Sequence, residues 1–139
     1  MKIRTLTALV LASAFTLAPL PLLAATKGPK PAHVSFGQQV SLAELAVPGK
    51  TTIFDFTSEY CPPCRAIAPK LDALHARRAD VAVVKVDINR PDVKGIDWKS
   101  PVAQQYNLRS IPHFKVFGPD GKLVAEGNEA REMVTKWFE

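Results

Sequence analysis

The stretch Thr51-Thr52-Ile53-Phe54-Asp55-Phe56-Thr57 constrains the fold of this chain more than any other. Apart from one aspartate it is β-branched or aromatic, a composition suited to a strand. Successive strand side chains point to opposite faces, and here apolar residues fall on both. Such a strand needs cover on both sides, which one chain supplies by laying helices above and below a sheet, the α/β class. Val81-Ala82-Val83-Val84-Lys85-Val86 is a second run of the same type. Directly after the first run comes Cys61-Pro62-Pro63-Cys64, and then a helical pattern with Ile67, Leu71 and Leu74 along one face. These are the only two cysteines in the chain, so any thiol chemistry is confined to this point.

A chain of 139 residues, 47% hydrophobic, holds one compact domain. Its first residues are expected to stand apart. Met1-Lys2-Ile3-Arg4 is a basic head, followed by an apolar stretch from Leu6 to Leu23 and the small pair Ala24-Ala25, the pattern of a secretory signal peptide over 1–25. Pro19 and Pro21 interrupt the stretch, which argues against a spanning helix. Cleavage is expected after Ala24 or Ala25, and no cysteine follows at which a lipid could be attached. The Pro/Gly/Lys segment that follows makes 26–40 an extended lead-in, with a short edge strand around His33–Phe36, and leaves 41–139 as the domain.

Charge excludes little but says something. The chain carries 18 Lys and Arg against 13 Asp and Glu; removing Lys2 and Arg4 with the leader leaves 16 against 13, a net of +3. The cations are scattered and not interleaved with aromatics, which argues against nucleic acid as a partner. Export points to an oxidising compartment, where disulfides persist. A bridge between residues three apart closes too small a ring to remove much chain entropy, which makes it a poor structural staple.

The remaining elements read in order. Ser41 is placed to cap a short helix through Leu45, closed by Pro48-Gly49. Pro69 is expected to bend the helix after the cysteines. Asp87–Ser100 is a polar connection, Pro101–Tyr106 a short helix, and His113–Phe117 a strand that returns through the turn Pro119-Asp120-Gly121 to a partner at Lys122–Ala125. Asn128 is expected to cap a last helix carrying Met133, Val134, Trp137 and Phe138 to the core.

Taken jointly, Phe54-Asp55-Phe56, Cys61-x-x-Cys64, Pro69, Val84-Lys85-Val86-Asp87 and Ile111-Pro112 at these spacings resemble the thioredoxin family over about Thr51 to Glu139. The resemblance implies a thioredoxin-like fold, a central mixed β-sheet flanked by helices. The chain departs from the family pattern at Pro62-Pro63, where Gly-Pro is usual. The Asn89–Tyr106 connection is longer, and Thr57 and Tyr60 stand where tryptophans are common.

The chemistry expected at the cysteines follows from their position. A thiolate at a helix N-terminus is favoured by unpaired backbone N–H groups and by the helix dipole, which makes Cys61 the nucleophile. Cys64, one turn on, can resolve the mixed disulfide. Pro62 and Pro63 remove two N–H donors, which weakens that support, while their rigidity limits how the ring relaxes; the two effects oppose. Two other readings of the pair stay open, an inert bridge or a metal site. Zinc needs further ligands that the three histidines do not supply as a pair, and copper(I), which two thiolates can hold, is the stronger rival.

Asp55 either faces solvent or is buried for a reason. The resemblance implies that it lies buried beneath the disulfide, with a raised pKa, as proton acceptor for Cys64, and with Lys85 as the cation that tempers it. The resemblance further implies a cis bond at Ile111–Pro112, setting the Ile111 backbone beside Cys61 to pair with an extended substrate. Tyr60 is expected on the exposed rim as a substrate contact. A packing or surface role is expected for His113, a solvated one for His75, and for Trp98 packing of the long connection in preference to a place on the binding rim.

The function so implied is that of an exported thiol–disulfide oxidoreductase acting on protein disulfides, more as reductase than oxidant, in the bacterial periplasm. It needs no dissociable cofactor and no metal, acts as a monomer, and can draw electrons from a membrane-embedded thiol carrier. The alternative is a copper(I)-binding or cytochrome/oxidase assembly module of the same fold.

Overall fold

The computed structural model describes residues 30–139, so the signal-peptide expectation for 1–25 lies outside the described residues. The element order is β1 (Ala32–Val34), α1 (Leu42–Leu45), β2 (Thr51–Thr57), α2 (Pro62–Arg77), β3 (Val81–Asp87), α3 (Pro101–Gln105), β4 (His113–Phe117), β5 (Leu123–Glu126) and α4 (Gly127–Lys136). The five strands form one sheet in the order β1-β3-β2-β4-β5. β1 and β2 run parallel to β3, while β4 is antiparallel to both β2 and β5, so the sheet is mixed.

Strand alternation sorts the core into two layers. Ile53 joins Leu71 and Leu74 of α2, Val81, Val83, Phe114, Val116 and Val134 on one face. Phe54 and Phe56 turn to the other, against Leu42, Val84, Val86, Val102 and Leu108 under α1 and α3. Both phenylalanines are fully buried, each contributing roughly 1.5–3 kcal/mol of apolar burial. By the same parity Asp55 and Lys85, register partners on β2 and β3, point toward α2. Met133, Trp137 and Phe138 pack half-buried against the α2-side layer.

Three details differ from expectation. The edge strand is Ala32–Val34 rather than His33–Phe36, because Ser35, Phe36 and Gly37 turn the chain with φ of 79°, 49° and 81°. At Gly37 a Cβ would stand 2.6 Å from Cγ and 2.8 Å from N of Arg90, so this turn needs glycine. The last helix starts at Gly127 with Glu126 in the cap position and no side-chain cap, so Asn128 lies within its first turn. Trp98 is 40% exposed rather than packed. Ser41 does cap α1, accepting from the Glu44 N–H at 3.4 Å. Among the described residues no helix is long and apolar enough to cross a membrane.

Candidate active site

β2 runs out at Thr57 and, after four intervening residues, α2 begins, so the central strand delivers the cysteines to its C-terminal end at the start of a helix. Cys61 is the N-cap of α2 and Pro62 and Pro63 fill its first two positions. Proline suits that place, since its missing N–H would be without a helical partner anyway. Cys61 and Cys64 form a disulfide with Cα atoms 5.2 Å apart. The first N–H that α2 can offer is that of Cys64, and it donates to Cys61 Sγ at 3.2 Å. A sulfur in the cap position thus takes the contact that a serine or aspartate oxygen takes elsewhere. Cys61 is 2% exposed and Cys64 fully buried, so an incoming sulfur has access to Cys61 alone.

The Ile111–Pro112 peptide bond is cis. The Ile111 carbonyl oxygen lies 3.7 Å from Cys61 Sγ, within reach of an S–H in the dithiol form. Tyr60 is exposed beside the pair. Ile111 is half-buried and Pro112 buried, both ahead of β4.

Asp55 is completely buried, and neither carboxylate oxygen has a hydrogen-bond partner. Burial pushes its pKa up to about 7, against a lowering pull from Lys85 and a smaller push from Asp72. Lys85 gives its ion pair not to Asp55 but to Asp72 of α2, at 2.6 Å. It therefore acts on Asp55 through space while held toward the surface. Cys64 and Lys85 line one cavity of about 170 Å³, shared with Thr57, Ser58 and Asp87. Its rim carries a His33–Asp87 contact of 3.4 Å.

Several residues that position the site were not visible in the sequence. The Ser58 hydroxyl donates to Asn89 Oδ1 at 2.6 Å and accepts from the Tyr60 N–H at 3.2 Å, tying the approach to Cys61 to the long connection. Asn89 also accepts from the Asp97 N–H at 3.3 Å and donates to the Val93 and Gly95 carbonyls at 3.2 and 2.6 Å. The connection is thus folded around one buried amide. Arg90 closes it from outside with bonds of 2.7 and 3.0 Å to Asp97, holding that carboxyl below the usual aspartate range. His75 is not simply solvated: its Nδ1 accepts from the Val83 N–H at 2.9 Å. That amide lies on β3 just before the β1 pairing begins at Val84. Burial, then the Lys50 charge, hold His75 below its ordinary pKa, as an acceptor nitrogen requires. His113, half-buried with its ring 5.9 Å from Phe56, lines a cavity together with Pro112.

The Thioredoxin family model matches residues 33–138, starting inside β1 and so including the 26–40 segment in part. Among curated proteins, the chain is 35% identical over 82 residues to thioredoxin F1, chloroplastic, of Arabidopsis thaliana, covering 59% of this chain and 42% of that one. It is 40% identical over 78 residues to thioredoxin-2 of Pyricularia oryzae, covering 55% and 40%. The chain therefore spans less than half the length of either relative. Among solved structures, the short form of spinach chloroplast thioredoxin f superposes with a TM-score of 0.54 at 23% identity. That superposition covers 82% of this chain and 98% of the other, a likeness of fold.

Proposed function

This chain belongs to the thioredoxin family, and on that premise we propose that it is an exported thiol–disulfide oxidoreductase, working mainly as a reductase of protein disulfides. The observation that carries the reading is the Cys61 sulfur at the start of α2, receiving the Cys64 N–H at 3.2 Å. In the dithiol form the same contact favours a thiolate on Cys61, the attacking species. Attack on a substrate disulfide forms a Cys61–substrate bond and expels one substrate thiolate. Cys64 then attacks Cys61, closing the intramolecular disulfide and releasing the second substrate sulfur. Two electrons pass from the protein sulfurs to the substrate sulfurs.

Asp55 lies on the α2 side of the sheet, and with its pKa pushed up to about 7 its carboxylate form is a base matched to neutral pH that takes the Cys64 proton in the second step. Lys85 sets how readily it does so. The Ile111 backbone, followed by Pro112, offers an edge for an extended substrate segment, with Tyr60 on the opposite rim. The basic head and apolar stretch of residues 1–25 support export into a bacterial periplasm. There a reductase needs a supply of electrons, for which a membrane-embedded thiol carrier is the fitting source.

The test is insulin reduction driven by dithiothreitol. Activity is expected to vanish in Cys61→Ser, Cys64→Ser is expected to accumulate the mixed disulfide, and Asp55→Asn is expected to slow its decay. Equal decay rates with and without Asp55 would remove the role given to that carboxylate. Copper(I) titration of the reduced protein runs alongside: tight uptake without insulin turnover would replace this reading with the assembly module.

A further inference from the structure

Beside the Pro112 edge lies a cavity of about 380 Å³ walled by Arg109, Arg131, His113, Asn107, Asn128 and Ser110. Among the described residues no carboxylate lines it. Arg131, on α4, donates from Nη2 to the Pro112 carbonyl at 3.0 Å, which fixes a guanidinium on the residue that borders the substrate edge. A guanidinium carries five N–H donors, so most of them are left over from that one bond. Elsewhere on the chain Lys85, Arg90 and Lys115 are each matched by a carboxylate; Arg109 and Arg131 form no ion pair among the described residues. Glu126, at the end of β5, is already taken by Lys115.

We propose that this cavity is a subsite for a carboxylate side chain of the substrate, so that the protein prefers disulfides with a glutamate or aspartate close to the attacked sulfur in an extended segment. The inference rests on the exchange reaction given above and adds the substrate class to it. An extended segment advances about 3.3 Å per residue, and the Ile111 carbonyl is 3.7 Å from Cys61 Sγ. A side chain one or two positions from the attacked cysteine therefore reaches past Pro112 into the cavity. There a carboxylate meets the geometry that a guanidinium fork matches, two parallel charge-assisted bonds. Burial, and after it the Lys115 charge, hold the His113 pKa below its ordinary value, so it adds an N–H donor to the wall rather than a third cation. Asn107 and Asn128 add amide donors. A lysine at the same substrate position would face two arginines with nothing to offset them.

The experiment uses two disulfide-bonded peptides that differ only in Glu or Gln two residues from the attacked cysteine, reduced by the dithiothreitol-charged protein. The glutamate peptide is expected to show a kcat/KM about five-fold higher, the advantage shrinking as salt is raised from about 0.05 to about 0.5 M. The ratio is expected to fall to about 1 in R109Q/R131Q and to fall part of the way in R131K, which keeps the charge but loses the fork. A ratio near 1 in the unaltered protein, or one that persists in R109Q/R131Q, overturns the subsite. If neither peptide is reduced, the exchange reading fails instead. The subsite is then decided by titrating the oxidised protein with the same peptides carrying serine for cysteine. Movement of the His113 imidazole and Arg131 Nε–H resonances with the glutamate peptide only supports it; equal movement, or none, overturns it.

Discussion

Asp55→Asn removes the one buried carboxylate among the described residues whose oxygens have no partner, and its effect on stability should depend steeply on pH. Burial raises the folded-state pKa from the ordinary 3.8 to about 7. Between those values the folded protein holds a proton that the unfolded chain has lost, so stability falls as pH rises through this window. At about 1.4 kcal/mol per pH unit the full penalty is about 4 kcal/mol, reached above about pH 8. The asparagine variant lacks this titration. In the oxidised proteins, where the sulfurs do not titrate, urea denaturation is expected to show the variant gaining on the parent by up to about 4 kcal/mol from pH 4 to pH 8. Contributions from His75, His113 and the surface groups are common to both and cancel in the difference. A difference that stays level across this range would show that Asp55 is solvated or paired when charged, and the reasoning about its proton would fail with it.

Other substitutions probe the supports of the site. Asn89→Ala leaves several buried partners unsatisfied and is expected to cost about 3 kcal/mol in urea denaturation, with proteolytic nicking appearing within 90–99. His75→Ala exposes the Val83 N–H without an acceptor, for an expected loss of about 1–2 kcal/mol and faster hydrogen exchange at that amide. The His75 imidazole itself should titrate below 6.5 by NMR. Gly37→Ala places a methyl group against the Arg90 backbone at a φ of +81°, and a loss of at least about 2 kcal/mol is expected in thermal unfolding.

How far the chain could be read in advance follows from the range of the interactions involved. β2 and β3 were legible because a run apolar on both faces has few other uses, and the cysteines because their chemistry depends on a neighbouring helix start three residues long. Asp55 and Pro112 stood out only with the family pattern beside them. Asn89 did not stand out at all. An asparagine after a strand reads as a solvated turn residue, and its buried partner Ser58 lies 31 positions away. His75 sits among polar residues on the helix wheel; only the place where β1 pairing starts reveals that a β3 amide needs it. Trp98 was expected to pack the long connection down, but the polar contacts of Asn89 and Asp97 already do so, leaving the indole outside. Arg109 and Arg131, 22 positions apart in sequence, meet only through the return of β5 to the start of α4.

The bond between Ser58 and Asn89 makes the stretch 89–97 a brace for the strand tip that presents the sulfurs. Its length is thereby counted to the residue. Adding or deleting one position between Asn89 and Asp97 would pull on Tyr60 and Cys61 from a distance, so variation in this loop would register first as altered reactivity at the sulfur and only later as loss of the fold.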